Sequence, residues 1–429
     1  MGTINVGLIG LGTVGTGVVQ ILRRHGEQFS TRAGIDVRLM RFADRDPARA
    51  AALCIPDEQF STDAGDVISD PTIDIVIELI GGTGVARDVV LGALSAGKSV
   101  VTANKALMAT HGREIMDAAA AHGVDILFEA SVGGGIPIIG PLKHSLVSNE
   151  IQAVYGIING TTNYMLTCMA EDGLDYDTAL VEAQTRGFAE ADPTADVDGL
   201  DAAAKIAILA SIAFNSRVVF SDVPAEGIRA ITPQDIAYAG EMGYTIKLVA
   251  IGRRTEGGID VRVHPTMLRA DHPLAKVNGV YNAIYVVGDS VGETMFFGEG
   301  AGSLPAASAV VGDVIEAARL IRSGCRALVG CTCTEHLPVR DMAELTTSYY
   351  VRLNVRDEPG VLATIAGIFG RHGVSLASVI QKRTDETGHA EIVWVTHRAA
   401  ERDVQAALRE IADSEVTEAI GSVIRVEEL

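Results

Sequence analysis

Cysteine is scarce in this chain: five in 429 residues, at Cys54, Cys168, Cys325, Cys331 and Cys333. That is too few, and too scattered, for a disulfide framework, and the compartment reads as reducing. The pair Cys331-Thr332-Cys333 has no second CxxC or HxxxH to complete a metal site, so these thiols read as structural or incidental. No apolar run approaches the ~18 residues of a membrane helix. No run of Lys or Arg offsets a formal net charge of −20, which repels phosphate backbones and argues against nucleic-acid binding. No charged-then-apolar leader precedes the first apolar run, so no secretory signal is expected. Met1-Gly2 is not a myristoylation start, because position 6 is Val6 rather than Ser or Thr. The expectation is a soluble cytoplasmic protein.

What is present is globular in kind, with 48 % hydrophobic and 21 % charged residues. At about 150 residues per domain the length predicts two or three domains. Residues 1–135 alternate strands (Ile4–Ile9, Val37–Phe42, Ile73–Ile80, Ser99–Thr102, Val124–Phe128) with helices (Val14–Arg23, Val85–Ala96, Leu107–His122). That rhythm predicts a doubly wound parallel sheet of α/β class. Residues 136–299 change rhythm: a helix Leu200–Phe214, then strands Thr245–Arg253, Ile259–Pro265 and Ala283–Val287, as in an α+β domain. A helix pattern Ala306–Ser323 falls in a segment, 300–335, expected to return to the first domain. The polar stretch 336–347 reads as a linker. Residues 348–429 then read strand (Tyr349–Val355), helix (Val361–His372), strand (Leu376–Lys382), strand (Ala390–Thr396), helix (Glu401–Ile411) and strand (Val416–Val426, broken by Gly421), a ferredoxin-like βαββαβ unit.

Gly10-Leu11-Gly12-Thr13-Val14-Gly15 follows a buried strand and opens a helix. In that context a GxGxxG sequence points to a dinucleotide. The first Gly permits the tight turn, the second admits the pyrophosphate, and the third lets helix and strand pack. The next strand ends at Asp44-Arg45: an acid there favours NAD and an Arg favours NADP, so both remain open. Gly81-Gly82-Thr83 and Thr102-Ala103-Asn104-Lys105 follow later strands at the same edge, where such sheets bind ligands.

Asp201 and Lys205 are four apart on a helix that is otherwise apolar from Leu200 to Ala213 except for Ser211. A surface pair of this spacing is a weak helix support, but a helix apolar all round is buried, and a buried charged pair is costly unless it has a use. A lysine whose pKa is lowered by desolvation or by a second cation such as Lys105 can move a proton while a hydride moves at carbon. Carboxylates at Glu190 and Asp201 would hold an ammonium group, which suggests an amino-alcohol substrate. The triple glycine of Glu129-Ala130-Ser131-Val132-Gly133-Gly134-Gly135-Ile136 reads, on its own, as a hinge.

Six stretches resemble the homoserine dehydrogenase family, in its monofunctional bacterial form with a C-terminal ACT domain. They are GLGTVG (10–15), TANKAL (102–107), EASVGGGIPII (129–139), GIINGTTNYML (156–166), GFAEADPTADVDGLDAAAK (187–205) and GAGSLPAASAVVGD (300–313). The resemblance implies a Rossmann-type sheet, a substrate and dimerisation domain, and NAD(P)-dependent interconversion of L-homoserine and L-aspartate 4-semialdehyde on the way to threonine and methionine. It implies Lys205 as proton donor and acceptor, with Lys105 as the other lysine open to that role. It implies Glu190, Asp201, Lys105 and Thr161 as substrate binders. The cofactor would meet Gly10, Gly12, Thr13, Val14 and Gly15, then Asp44, Arg45, Thr83, Ala103 and Lys105, and finally Gly187, Glu190 and Gly302. Glu129, Val132, Gly134 and Ile136 match a sodium site, three of them through backbone carbonyls, which replaces the hinge reading. Asp357, Gly360 and Val361 match the ligand-binding turn of ACT domains, with L-threonine as the implied inhibitor and a homo-dimer or homo-tetramer as the implied assembly. Two rivals differ in kind. Aspartate-semialdehyde dehydrogenase needs a nucleophilic cysteine, and Cys168 lacks a neighbouring histidine in sequence. A non-catalytic amino-acid sensor would not need Glu190, Asp201 and Lys205 together.

Overall fold

The structure, a computed structural model, describes residues 3–325, 330–384 and 388–428. Met1-Gly2, residues 326–329 of the return segment and the centre of the turn Thr384–Gly388 lie outside the described residues. In chain order the strands are β1 (Thr3–Ile9), β2 (Asp36–Ala43), β3 (Phe60–Ser61), β4 (Ile75–Glu78), β5 (Ser99–Thr102), β6 (Ile126–Leu127), β7 (Ile151–Ile157) and β8 (Tyr244–Thr255). They continue with β9 (Gly258–Arg269), β10 (Tyr281–Gly288), β11 (Gly292–Glu299), β12 (Thr346–Arg356), β13 (Leu376–Thr384), β14 (His389–Thr396), β15 (Ala399–Ala400) and β16 (Thr417–Glu427). The chain divides into two compact units. The first is Met1–Ile158, Ala204–Val223 and Tyr281–Leu337; the second is Asn159–Ala203, Pro224–Val280 and Pro338–Leu429.

The first unit is built on a parallel sheet in the order β3-β2-β1-β4-β5-β6. Val6, Leu8, Ile75, Ile77 and Val101 are fully buried, as short apolar runs predict for strands covered on both faces. Strand order reverses between β1 and β4, so their carboxyl ends open the crevice where such sheets take ligands. The helix Ser303–Ser323 packs beside the helix Thr13–Ala33; its Ala307, Val310 and Val314 share one core with Val18 and Val19. The helix Lys105–His122 begins two residues before its apolar pattern does, because Asn104 caps it: its Oδ1 accepts from Leu107 N at 3.1 Å. The strands β7, β10 and β11 form an antiparallel ladder in the same unit. β11 is not legible in the sequence, since its positions alternate between exposed and half-buried.

In the second unit the strand order is β8-β9-β16-β12-β14-β13, with β9 and β16 parallel and the other neighbours antiparallel. The last six major elements are the expected βαββαβ unit: β12, helix Val361–Arg371, β13, β14, helix Glu401–Ala412, β16. Alternation along β12 sends Tyr349, Val351, Leu353 and Val355 to the helices, where they meet Ile365, Phe369, Trp394 and Leu408. The opposite face is polar and buried. Asp235, on the helix Pro233–Glu241, accepts from Arg352 Nε at 2.7 Å, Ser422 Oγ at 3.0 Å and the Tyr350 hydroxyl at 3.1 Å. Arg352 Nη1 also donates to Glu391 at 3.0 Å. Nearby, Arg425 donates to Glu401 (2.8 and 2.7 Å) and to Glu226 (two bonds of 2.8 Å). The strand β16 is not broken at Gly421; its register slips there instead. A β-carbon at Gly421 would lie 2.7 Å from Arg352 Nη1, so the glycine makes room for the guanidinium.

Candidate active site

The nucleotide edge belongs to the first unit. Gly10 has φ +103°, and a β-carbon there would come within 2.5 Å of Leu79 O, so the turn from β1 demands glycine. A β-carbon on Gly15 would clash with the Gly10 carbonyl, whereas one on Gly12 would meet only Arg49 at 3.9 Å. The middle glycine thus faces open space while the outer two are packed, which is the division of labour a pyrophosphate needs. Helix Thr13–Ala33 has no side-chain cap at Gly12, so its first N–H groups point to that space. Gly302 (φ +123°) precedes the return helix, and Ser303 Oγ donates to Thr13 O at 2.6 Å, which fixes Gly302 beside the glycine loop.

Asp44 turns toward the loop it follows. Its carboxylate accepts from Leu11 N at 2.6 Å, Asp46 N at 2.9 Å and Arg49 Nη1 at 3.3 Å. Burial pushes its pKa up, but these donors outweigh it and hold the group below the usual carboxylate value. Arg45 is exposed. At the next strand ends, buried Glu78 accepts from Thr102 Oγ1 at 2.7 Å and Ile80 N at 2.7 Å, and Asn104 Nδ2 donates to Gly82 O at 2.7 Å. This network sets the backbone around Thr83 and Ala103 and places half-buried Lys105 at the first turn of its helix. Glu78 is missed by sequence reasoning, which treats it as part of an apolar strand.

Glu129 folds its carboxylate over the loop that follows it, accepting from Ile138 N (2.5 Å), Ile139 N (2.8 Å) and Gly140 N (2.6 Å). Its own N–H donates to Asp313 Oδ2 at 2.8 Å. Asp313 is buried, and desolvation pushes its pKa well above the usual value against that N–H; the Glu129 and Glu316 charges add to the rise. Gly134 (φ +58°) sits so close to the Gly300 carbonyl that no side chain fits. Val132 and Ile136 are buried on the same loop. Lys205 is buried as well, and its Nζ donates to Ile158 O at 2.6 Å.

The acid cluster belongs to the second unit. Asn159 caps the helix Gly160–Glu171 through Oδ1, which accepts from Thr162 N at 2.9 Å. Its Nδ2 donates to Asp196 at 2.7 Å and to Asp201 at 2.9 Å. Thr161 Oγ1 donates to Phe188 O at 2.6 Å and Asp196 at 3.1 Å. One amide therefore gathers Thr161, Asp196 and Asp201. Gly187 (φ +76°) and Glu190 are exposed on the loop that leads to them. Asp201 and Lys205 lie one turn apart on the helix Leu200–Ala213. Asn159 and Asp196 are the residues sequence reasoning misses here; the Asn-Gly-Thr-Thr cap signature was the available signal. Lys247 braces the helix Gly160–Glu171, donating to Asn163 Oδ1 (3.0 Å), Val277 O (2.7 Å) and Asn278 Oδ1 (2.9 Å), and burial pulls its pKa down to about 8. In the C-terminal unit Gly360 (φ +96°) opens helix Val361–Arg371, and Asp357 N donates to Gly388 O at 2.8 Å. Cys168 is buried, and desolvation raises its pKa, so it is a poor nucleophile.

A glycine turn shaped for a pyrophosphate, in a chain that also buries a lysine one turn from an aspartate, defines a nicotinamide-dependent oxidoreductase. Comparison with known proteins narrows the class. A family model described as "Homoserine dehydrogenase, NAD binding domain" matches residues 10–129, one described as "Homoserine dehydrogenase" matches 137–315, and an ACT domain model matches 349–416. The chain is 48 % identical over 433 residues to a homoserine dehydrogenase of Synechocystis, covering 99 % of each. A crystal structure of a homoserine dehydrogenase from Thiobacillus denitrificans superposes with a TM-score of 0.95 at 43 % identity, covering 100 % of this chain and 99 % of that one. A hyperthermophilic archaeal homoserine dehydrogenase in complex with NADPH gives a TM-score of 0.63 at 27 % identity, covering 74 % of this chain and 98 % of that one. The chain belongs to the homoserine dehydrogenase family and carries an ACT domain. Among the described residues no helix is long and apolar enough to cross a membrane.

Proposed function

We propose that this enzyme interconverts L-homoserine and L-aspartate 4-semialdehyde in the cytoplasm with Lys205 relaying the proton. The supporting observation is the buried Lys205 one turn from Asp201, whose carboxylate shares the Asn159 amide with Asp196. The nicotinamide, when bound, accepts or supplies the hydride at the carbinol carbon. The chain's residues do the rest. Lys205 takes the hydroxyl proton in one direction and returns it in the other, with Lys105 as the second cation that eases its deprotonation. Asp201, Asp196 and Glu190 hold the substrate ammonium, and Thr161 orients that pocket. Gly10, Gly12, Thr13, Val14, Gly15, Thr83, Ala103 and Gly302 line the cofactor path. This reading assigns residues 1–135 with 300–335 to the cofactor, 136–299 to the substrate and dimer contacts, and 348–429 to an effector.

Asp44 is already engaged by the loop, and Arg45 with Arg49 lies at the surface beside it. That favours NADP over NAD. Sodium would be met by backbone carbonyls at Val132, Gly134 and Ile136, because the Glu129 carboxylate is engaged by three N–H groups. L-threonine would bind at Asp357, Gly360 and Val361, with its carboxylate at the helix start, in a homo-dimer or homo-tetramer. The test is nicotinamide reduction with L-homoserine, using NADP and NAD in parallel, with and without L-threonine. Reduction by neither cofactor at alkaline pH would overturn the reading and favour the sensor. Faster turnover with NAD would overturn the cofactor assignment, and a rate indifferent to threonine would overturn the effector assignment.

A further inference from the structure

The sequence offers Cys331 and Cys333 as incidental thiols, but the structure gives them a setting. Both line one cavity of the first unit together with Met108, Phe128, Lys143 and Arg217. Burial and the neighbouring Cys331 push the Cys333 thiol up to about 11 against the Arg217 guanidinium, so Cys333 rests as a protonated thiol. Cys333 Sγ also donates to Ser211 O at 3.7 Å. Lys143 lies over the Phe128 ring, 5.2 Å from its centre, with both sulfurs among the charges that act on it. Residues two apart span at most about 7 Å, close to the ~4.4–6.8 Å between α-carbons that a disulfide needs. Cys331 is exposed and Cys333 half-buried, so an outside reagent meets Cys331 first.

The strap that carries the pair is fastened to the end of the Lys205 helix. Besides the Cys333–Ser211 contact, Glu335 N donates to Asn215 O at 2.8 Å and Leu337 N to Ser216 Oγ at 2.9 Å. The strap bends at Cys333, where Thr334 N donates to Thr332 O at 2.7 Å. A sulfur joined to Cys331 no longer has a proton to give to Ser211 O. Closing the pair therefore removes one fastening from the helix Leu200–Ala213.

We propose that Cys331 and Cys333 form a dithiol–disulfide modification site, open to small-molecule disulfides, whose oxidation loosens the end of the helix bearing Lys205. The exposed Cys331, as its thiolate, attacks one sulfur of the small disulfide and expels a thiolate. Cys333 then gives up its proton to the thiolate just expelled and attacks Cys331 Sγ in the mixed disulfide, expelling the second thiolate. Two protein thiols and one small disulfide become one protein disulfide and two small thiols; the dithiol gives up two electrons, and its protons pass to the leaving thiolates. The test incubates the full chain with hydroxyethyl disulfide, alkylates remaining thiols and maps peptides, with homoserine oxidation followed in parallel. The expected result is a peptide linked between Cys331 and Cys333, lighter by two hydrogens, with kcat falling severalfold and recovering on dithiothreitol. Cys331→Ser should neither link nor lose rate, and Cys333→Ser should trap the mixed disulfide on Cys331. Free, alkylated Cys331 and Cys333, a bond to Cys325 instead, or full linkage with unchanged kcat would each overturn the proposal. The peptide map does not depend on which substrate the enzyme uses.

Discussion

Two acid clusters in the second unit are held in opposite ways. Asp196, at the substrate side, receives its bonds from a neutral amide and a hydroxyl, Asn159 Nδ2 and Thr161 Oγ1. Asp235, beneath the ACT sheet, is fully buried and receives two bonds from the Arg352 guanidinium besides those from hydroxyls. Neutral donors orient a carboxylate without cancelling its charge; an arginine cancels it. The first arrangement leaves negative potential for a substrate ammonium, and the second ties two layers together. Burial of an acid alone does not distinguish a site from a strut, whereas the charge of its donors does.

The contrast can be broken most severely at its catalytic end. Lys205→Ala should lower kcat by roughly 10²–10⁴ while the protein stays folded, if the lysine carries the proton. Steady-state rates that hardly change would place Lys205 with the struts. At the strut, Arg352→Met strands Asp235 and should cost about 3–5 kcal/mol in unfolding experiments, with Asp235→Asn added to it recovering part of the loss. A negligible cost would mean that Asp235 is not held by charge. Asn159→Ala should raise KM for homoserine by about 10-fold, and Asn159→Asp more, since a third carboxylate repels the two it faces. If Asn159→Asp bound substrate as well as the parent, neutral support would not be the principle of this pocket. The smallest effect concerns Asp313, whose folded pKa is raised by burial. A raised carboxylate stays neutral in the fold while the unfolded chain ionises, so wild-type stability falls as pH climbs above about 3.9 toward the folded pKa. Asp313→Asn can still accept the Glu129 N–H and has no such loss. Its melting temperature should gain on the wild type through that window, and parallel curves would remove Asp313 from the account.

The same two clusters show what a sequence exposes. Asp201 and Lys205 are legible because they interrupt an apolar helix, and Glu190 because it lies in the same contiguous stretch. The glycine loop is legible because strand, turn and helix follow one another in sequence. Asn159 is hidden because one side chain both caps a helix and supports acids 37 and 42 positions away. The Asp235 cluster is hidden more deeply: its partners stand 115, 117 and 187 positions away, and nothing in local periodicity pairs them. Five strands of the parallel sheet and the βαββαβ unit follow from alternating apolar runs, while the two-residue β3 and β11, neither with a buried run, do not.

Gly421 has a consequence for how this chain can change. With Arg352 held by Asp235 and Glu391, any other residue at 421 overlaps its guanidinium and must displace it from those bonds. Shorten the residue at 352 first and the overlap goes, leaving position 421 open. A change at 421 therefore costs less after 352 has changed than before, and a library that varies 421 alone is biased toward glycine for a reason that lies on a neighbouring strand.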